Sequence, residues 1–194
     1  KPIYNKTFGY HSIAPDAPAI DPNGTLWIAS CTKLLSSICA LQCVERGLIK
    51  LDEPVQRVLP ELASPQIASL DTSGEIPGET GKVILTPAKK PITLRHLITH
   101  TSGIAYEWMN ETLKAWREDW KRNGGDEAGL RKSTAKLYSI PLIHEPGEGW
   151  AYGGGLDWAG VLVSRLSNDV TLEQYMQEHI FKPLGMESTT FHID

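Results

Sequence analysis

The chain has 194 residues, of which 41% are hydrophobic and 22% charged, as is usual for a soluble globular protein with one sizeable core. Its net charge of −4 gives no basic patch for nucleic acid or for an anionic membrane surface, so a small-molecule partner is favoured. No apolar run approaches the ~18 residues that cross a bilayer, and no membrane partner is expected.

The first predicted element is a β-strand over residues 3–10, where apolar and polar side chains alternate. A loop containing Pro15, Pro18 and Pro22 follows. Residues 1–29 are therefore expected to form a strand and a loop that enter the functional site.

A helix is predicted to begin at Ser30, because Leu34, Leu35, Ile38, Leu41 and Val44 recur at spacings of three and four. These residues are expected to face the core, and Gly47 is placed to end the helix in a left-handed conformation.

The start of this helix reads Ser30-Cys31-Thr32-Lys33, an S-x-x-K tetrad that puts a hydroxyl and an amine on one face, nearly one turn apart. A serine becomes a good nucleophile only when a neighbour takes its proton, and an amine does so only if burial lowers its pKa. The free N–H groups at a helix start would stabilise negative charge on a substrate oxygen. The tetrad therefore predicts nucleophilic catalysis by Ser30, although such short matches also arise by chance.

The three cysteines, Cys31, Cys39 and Cys43, lie on this same helix. One straight helix does not present disulfide geometry, and an odd count leaves a free thiol, so a reducing, cytoplasmic compartment is expected. Cys31 is an alternative nucleophile beside Ser30, but a small buried cysteine on a helix is the commoner situation and is favoured.

The middle of the chain contains a polar insertion over residues 64–91, rich in turn residues and predicted as loop or hairpin. No other convincing strands follow. Thr93 is expected to cap a helix through His100, with Gly103 after it, and residues 106–136 carry a helical pattern interrupted at Asn123-Gly124-Gly125.

The last third contains Trp150-Ala151-Tyr152-Gly153-Gly154-Gly155, followed by a helix predicted to turn Leu156, Ala159, Val163 and Leu166 inward. Thr171 and Gln174 form a capping box for the last helix. Trp150 and Trp158 flank Tyr152 and are able to line an acyl pocket, although tryptophans more often belong to the core.

His96 and His100 stand at i and i+4, a spacing that suits zinc, but the glutamate of a zinc-protease motif is missing after His96. Capping or loop anchoring is favoured over a metal role. No metal and no cofactor is predicted.

The tetrad Ser30–Lys33, the stretch from Ile92 through His100-Thr101-Ser102-Gly103, and the glycine-flanked Tyr152 resemble the serine β-lactamase-like superfamily, in particular its class C and esterase branch. The segment around Tyr152 is similar to the fungal acyltransferases and esterases related to the lovastatin side-chain transesterase. The resemblance implies an α/β (α+β) β-lactamase/transpeptidase-like fold, in which an antiparallel sheet is flanked by helices beside an all-helical region.

The resemblance also implies the roles of individual residues. Ser30 matches the acylated nucleophile, Lys33 the lysine that helps to deprotonate it, and Tyr152 the general base or proton relay. Gly153, Gly154 and Trp150, beside Tyr152, are expected to contact substrate. The implied partner is a small ester, thioester or amide, and the implied activity is that of a serine acyl hydrolase or acyltransferase.

Two departures from the family pattern bear on this expectation. Class C enzymes have Tyr-x-Asn, whereas Gly154 stands at the asparagine position, which disfavours an efficient penicillinase and is expected to leave room beside Tyr152. Family members are also about twice as long, so residues 1–194 are expected to be a mostly helical part of one domain, with an N-terminal helix and strand and several C-terminal strands missing. A β-lactamase, a D-amino-acid peptidase-type hydrolase and a non-catalytic binding relative are the alternatives.

Overall fold

The structure of the chain is a computed structural model that describes residues 3–71 and 82–192. The chain divides into two compact units, Lys1–Thr32 and Lys33–Asp194.

The first unit does not contain the strand predicted over residues 3–10. A single antiparallel bridge joins Tyr10 to Ala19, and the side chains of Ile3, Tyr4 and Phe8 are exposed. Alternation of side chains is compatible with a strand, but a strand forms only where a neighbouring strand supplies a ladder of hydrogen bonds. The predicted strand is therefore wrong.

A short 3-10 turn, Ala29–Cys31, contains Ser30 and is followed in the chain by helix α1, Thr32–Glu45. The end of α1 is a Schellman motif. Gly47 has a φ of +72°, its N–H donates to the Val44 carbonyl at 2.9 Å, and the Leu48 N–H donates to the Cys43 carbonyl at 3.0 Å. The predicted stop at Gly47 is confirmed.

The buried face of α1 differs from the predicted one. Leu34 and Leu41 are 66% and 44% exposed, whereas small side chains at a spacing of three and four point into the core: Ser36, Cys39, Ala40 and Cys43. Small side chains let the helix backbone approach its neighbours closely, and the larger apolar residues Leu35, Ile38 and Val44 pack at the margin of the core.

Residues 64–91 contain a β-hairpin, which was one of the two predicted outcomes. Strands β1, Gln66–Asp71, and β2, Lys82–Pro87, pair in antiparallel register with Gln66 opposite Pro87. The Ala68 N–H donates to the Leu142 carbonyl at 2.8 Å, which ties the hairpin to the later part of the chain. The turn residues Thr72-Ser73-Gly74 and Pro77-Gly78-Glu79 lie outside the described residues.

Short helical elements make up most of the second unit. The turns Val55–Arg57, Pro60–Leu62 and Glu107–Met109 are 3-10 helices, and a π-helical turn spans Gln177–Phe181. The remaining α-helices are α2 (Leu94–Ile98), α3 (Glu111–Arg122), α4 (Glu127–Leu130), α5 (Thr134–Leu137), α6 (Gly155–Leu166), α7 (Leu172–Met176) and α8 (Lys182–Leu184).

Two helix starts follow the predicted capping chemistry. The Thr93 side chain accepts from the His96 N–H, and the Thr171 side chain accepts from the Gln174 N–H. In both cases the third residue of the helix bonds back to the cap, as a capping box requires.

The core of the second unit is built around α6. Trp158, Leu162 and Val163 are fully buried there, against Leu97 of α2 and Phe181. Within residues 3–71 and 82–192, no helix is both long and apolar enough to cross a membrane.

Candidate active site

The structure brings Lys33 and Tyr152 together. The Lys33 Nζ lies 4.9 Å from the centroid of the Tyr152 ring and 5.5 Å from that of Tyr106. It donates a hydrogen bond to the Tyr106 hydroxyl oxygen at 3.2 Å. The two tyrosine rings meet edge to face, with centroids 5.5 Å apart. The ammonium therefore sits between two phenols.

Ser30 belongs to the first unit, where it lies exposed in the turn Ala29–Cys31. Its approach to Lys33 and Tyr152 stays a prediction.

Backbone hydrogen bonds hold Tyr152 in place. The Tyr106 N–H donates to the Tyr152 carbonyl at 3.2 Å, and the Ala151 N–H donates to the His100 carbonyl at 2.9 Å. The Tyr152 ring packs against His100, with centroids 4.8 Å apart, and against Trp150 at 6.4 Å. Backbone and ring contacts together orient the phenol more rigidly than either would alone.

The glycines that follow Tyr152 are required by close packing. A Cβ on Gly153 would lie 2.5 Å from the Ala105 Cα, and a Cβ on Gly154 would lie 2.7 Å from the Tyr138 Cγ. The expectation that Gly154 leaves room beside Tyr152 is therefore wrong, because the ring of Tyr138 fills that space.

The three residues assigned to substrate binding differ in exposure. Gly153 and Gly154 are buried, whereas the Trp150 side chain is 66% exposed. Their contact with substrate stays a prediction. Trp158 is fully buried and donates its indole N–H to the Tyr138 carbonyl at 3.1 Å, so it belongs to the core and not to a pocket wall.

The two histidines have structural positions. The His96 Nδ1 accepts from the Thr93 N–H at 3.2 Å within the capping box, and His100 packs on the Tyr152 ring. Burial lowers the pKa of His100, and the Lys33 charge lowers it further, so the ring is neutral near pH 7. Among the described residues, no group of three or more potential ligands is arranged to hold a metal.

Three further side chains lie at this site that the sequence motifs did not indicate: Tyr106, Tyr138 and Asp157. The Tyr106 hydroxyl donates to the Asp157 carboxylate at 3.4 Å, and the Tyr138 phenol also helps to lower the pKa of that carboxylate. Asp157 is in the first turn of α6, a common place for an acidic residue, which is why nothing in the sequence distinguishes it from a helix-stabilising residue.

Lys33 has a raised pKa, contrary to the expectation for a lysine that acts as base. Burial is the largest single effect and lowers the pKa, but hydrogen bonds to Tyr152 and Tyr106, together with electrostatic attraction to the same two groups, raise it by more. Burial raises the pKa of Tyr106, and the Asp157 charge raises it further, although the bond from Lys33 offsets part of this. Lys33 is therefore held as an ammonium beside a neutral Tyr106.

A cavity of about 310 Å³ opens beside the two tyrosines that contact Asp157. Its walls are mixed: Glu127, Arg131 and the salt-bridged pair Arg117 and Glu107, with N and O 2.6 Å apart, line part of it, and the rest is apolar or aromatic. The apolar wall is formed by Ala105, Tyr106, Trp108, Leu130, Leu137, Tyr138 and Ile140.

The cysteines are all free thiols. Cys31 is exposed, contrary to the expectation of a small buried residue, whereas Cys39 and Cys43 are buried. Burial raises the pKa of Cys39 to about 12, which makes that thiol unreactive.

An S-x-x-K tetrad at the start of a helix, together with a lysine held against a tyrosine, is the pattern of the serine β-lactamase-like class of proteins. A comparison with protein families agrees with this class: the family model described as Beta-lactamase matches residues 1–194. The chain belongs to the beta-lactamase family.

Within this family the chain is similar to fungal acyltransferases and esterases. It is 46% identical to the acyltransferase calJ of Penicillium decumbens, over 95% of this chain and 42% of the relative. It is 36% identical to the lovastatin esterase of Penicillium rubens, over 98% of this chain and 45% of the relative. A LovD9 mutant of simvastatin synthase from Aspergillus terreus superposes with a TM-score of 0.76 at 38% identity, over 94% of this chain and 44% of that one. The chain thus spans less than half the length of these relatives.

Proposed function

We propose that this chain carries the nucleophile and the proton-transfer groups of a serine acyltransferase or esterase. Ser30 attacks the carbonyl of an ester, thioester or amide, and its proton passes to Tyr152. The leaving group takes that proton, and an acyl-Ser30 intermediate remains. Water or an alcohol then gives its proton to Tyr152 and attacks the acyl group, and the proton returns to Ser30 as the product leaves.

The observation that carries the proposal is the position of the Lys33 ammonium between the rings of Tyr152 and Tyr106. Because the pKa of Lys33 is raised, Lys33 keeps its proton and serves as a cationic partner. A positive charge beside a phenol favours the ionised form of that phenol, so Tyr152 is assigned the role of base.

The packing beside Tyr152 supports an ester or thioester substrate over a β-lactam. Gly154 stands at the position where class C enzymes have an asparagine, and Tyr138 occupies the space in which a side chain would lie. The cavity beside Tyr106 is large enough for the apolar part of a small acyl donor or acceptor. The relatives bear both names, acyltransferase and esterase, so transfer and hydrolysis are both proposed.

The test is covalent labelling of the full protein with a fluorophosphonate probe, followed by identification of the labelled residue. Ser30→Ala should abolish labelling and turnover with little effect on thermal stability. Cys31→Ser, which removes the neighbouring exposed thiol, is the matched control and should keep both. A screen of short acyl esters and thioesters with competing alcohols then separates transfer from hydrolysis.

Two results would contradict the proposal. Labelling of Ser30→Ala at Cys31 would show that the nucleophile is misassigned. A folded wild-type protein that neither labels nor turns over any of these esters would favour the non-catalytic binding relative.

A further inference from the structure

Asp157 is a half-buried carboxylate that interacts with two phenols, those of Tyr106 and Tyr138. Its Oδ2 lies 3.4 Å from the Tyr106 hydroxyl, and the Tyr138 phenol favours its ionised form less strongly. Taking a carboxylate out of water is unfavourable unless a compensating charge or donor is near. Here the compensating charge is Lys33, which favours the ionised form of Asp157.

A chain of two hydrogen bonds connects the Lys33 ammonium to the Asp157 carboxylate through the Tyr106 hydroxyl. The Lys33 Nζ donates to the Tyr106 oxygen at 3.2 Å, and the Tyr106 hydroxyl donates onward to Asp157 at 3.4 Å. A phenol that donates to an anion is a better acceptor for an ammonium, because the two bonds polarise each other. The attraction is also mutual: if Lys33 stabilises the charge of Asp157, Asp157 stabilises the charge of Lys33.

We propose that Asp157 is a positioning residue that acts through Tyr106 to hold Lys33 as an ammonium against Tyr152. The inference rests on the proposed function and extends it, since it states why Lys33 is the cation and Tyr152 the base. Asp157 itself touches neither the nucleophile nor the substrate in this scheme. Its effect on the reaction is transmitted by the charge and the orientation of Lys33.

Several titratable groups face this arrangement from the surrounding elements. His100 is neutral near pH 7, and Tyr106 and Tyr138 have raised pKa values, so none of them supplies a competing charge there. Along the open groove that reaches Asp157 from α6 and α7, the charged or titratable residues are Arg165 (paired with Glu61), Asp169, Glu173 and His192 (paired with Glu173).

The experiment is the pH dependence of kcat/KM for an ester substrate, measured on the full protein. Asp157→Asn should lower kcat/KM about tenfold near neutral pH, and its alkaline loss of activity should begin roughly one pH unit lower. The sign follows from Coulomb attraction: without the anion, Lys33 gives up its proton more readily. Burial raises the pKa of Asp157, so wild type loses this carboxylate charge as the pH falls, and the two proteins should converge in acid.

Companion variants separate positioning from folding. Asp157→Glu keeps the charge, so its activity should fall at the same alkaline pH as that of wild type; this falling part of the pH profile is called the alkaline limb. Tyr106→Phe removes one oxygen from the chain of bonds while leaving both charges, and should shift the limb less than Asp157→Asn does. The matched control is Glu61→Gln, which breaks the ion pair between Glu61 and Arg165; Arg165 is on α6, as Asp157 is. This variant should leave the alkaline limb unchanged even if the melting temperature falls.

A lower melting temperature with an unchanged alkaline limb in Asp157→Asn would overturn the inference, because a purely structural role predicts that result. If Asp157→Asn does not fold, an unshifted limb in Tyr106→Phe with wild-type kcat/KM overturns it instead. Failure of the proposed function looks different: Ser30→Ala would then keep its activity. A dead Ser30→Ala together with an unshifted Asp157→Asn would contradict only the role of Asp157.

Discussion

Replacement of Gly154 by alanine tests whether the packing beside Tyr152 is as tight as the structure shows. Gly154 has φ of −73° and ψ of 13°, a conformation that any residue adopts, so its backbone does not require glycine. The requirement is steric: an added Cβ would lie 2.7 Å from the Tyr138 Cγ, whereas carbon atoms in contact prefer about 3.5–4.0 Å.

The magnitude follows from two opposing effects. Overpacking by one methyl group costs about 1–3 kcal/mol. Alanine in place of glycine recovers about 0.4–1 kcal/mol by restricting the unfolded chain. The difference spans about 0–2.6 kcal/mol, and because the added Cβ would lie far inside contact distance of a ring carbon, Gly154→Ala should lower the free energy of unfolding by about 1–2 kcal/mol. Activity should also fall, because Tyr138 packs on Tyr106, with ring centroids 6.1 Å apart, and Tyr106 donates to Asp157.

A double-mutant cycle in denaturant supplies the measurement. In a Tyr138→Ala background the clash is gone, so Gly154→Ala should cost nothing further or be slightly stabilising. In a Tyr138→Phe background, which keeps the ring, its cost should remain. If Gly154→Ala is neutral in wild type, or if its cost is the same with and without the Tyr138 ring, the account of Gly154 is refuted.

Two further predictions concern α1 and its surroundings. A maleimide should modify Cys31 rapidly in the folded protein and leave Cys39 and Cys43 unmodified until unfolding, because only Cys31 is exposed; fast modification of Cys39 would contradict the burial of that face. Gly47→Ala should lower the free energy of unfolding by about 1 kcal/mol, since Gly47 has a φ of +72°. Gly47→Asn, which tolerates the left-handed conformation better, is its control and should cost less; equal losses would argue against the Schellman ending.

Several parts of the fold were predictable from the sequence because short-range interactions determine them. The capping boxes at Thr93 and Thr171 and the left-handed Gly47 need only residues within one turn of the helix end. The S-x-x-K tetrad and the glycine-flanked Tyr152 are likewise local motifs, and together they indicated the family to which the chain belongs.

Other parts depended on neighbours that no local pattern reveals. Residues 3–10 alternate as a strand would, but among residues 3–71 and 82–192 no adjacent strand pairs with them along their length. Leu34 and Leu41 fit a helical stripe, yet the small side chains of α1 are the ones that face the core. In both cases the periodicity shows which side chains a segment is able to bury. Which of them are in fact buried depends on the neighbouring segments in the tertiary structure.

The candidate site shows the same division. The sequence alone was enough to nominate Ser30 and Lys33, because their types and spacing carry the chemistry, and the resemblance to the serine β-lactamase-like superfamily added Tyr152. The tertiary structure alone added Tyr106, 73 residues from Lys33 and 51 from Asp157, and with it the route from Asp157 to the ammonium. It also reversed the expected direction of the pKa of Lys33. The physical reason is that a pKa depends on burial and on the partners within a few ångströms, and in this fold those partners come from distant segments of the chain.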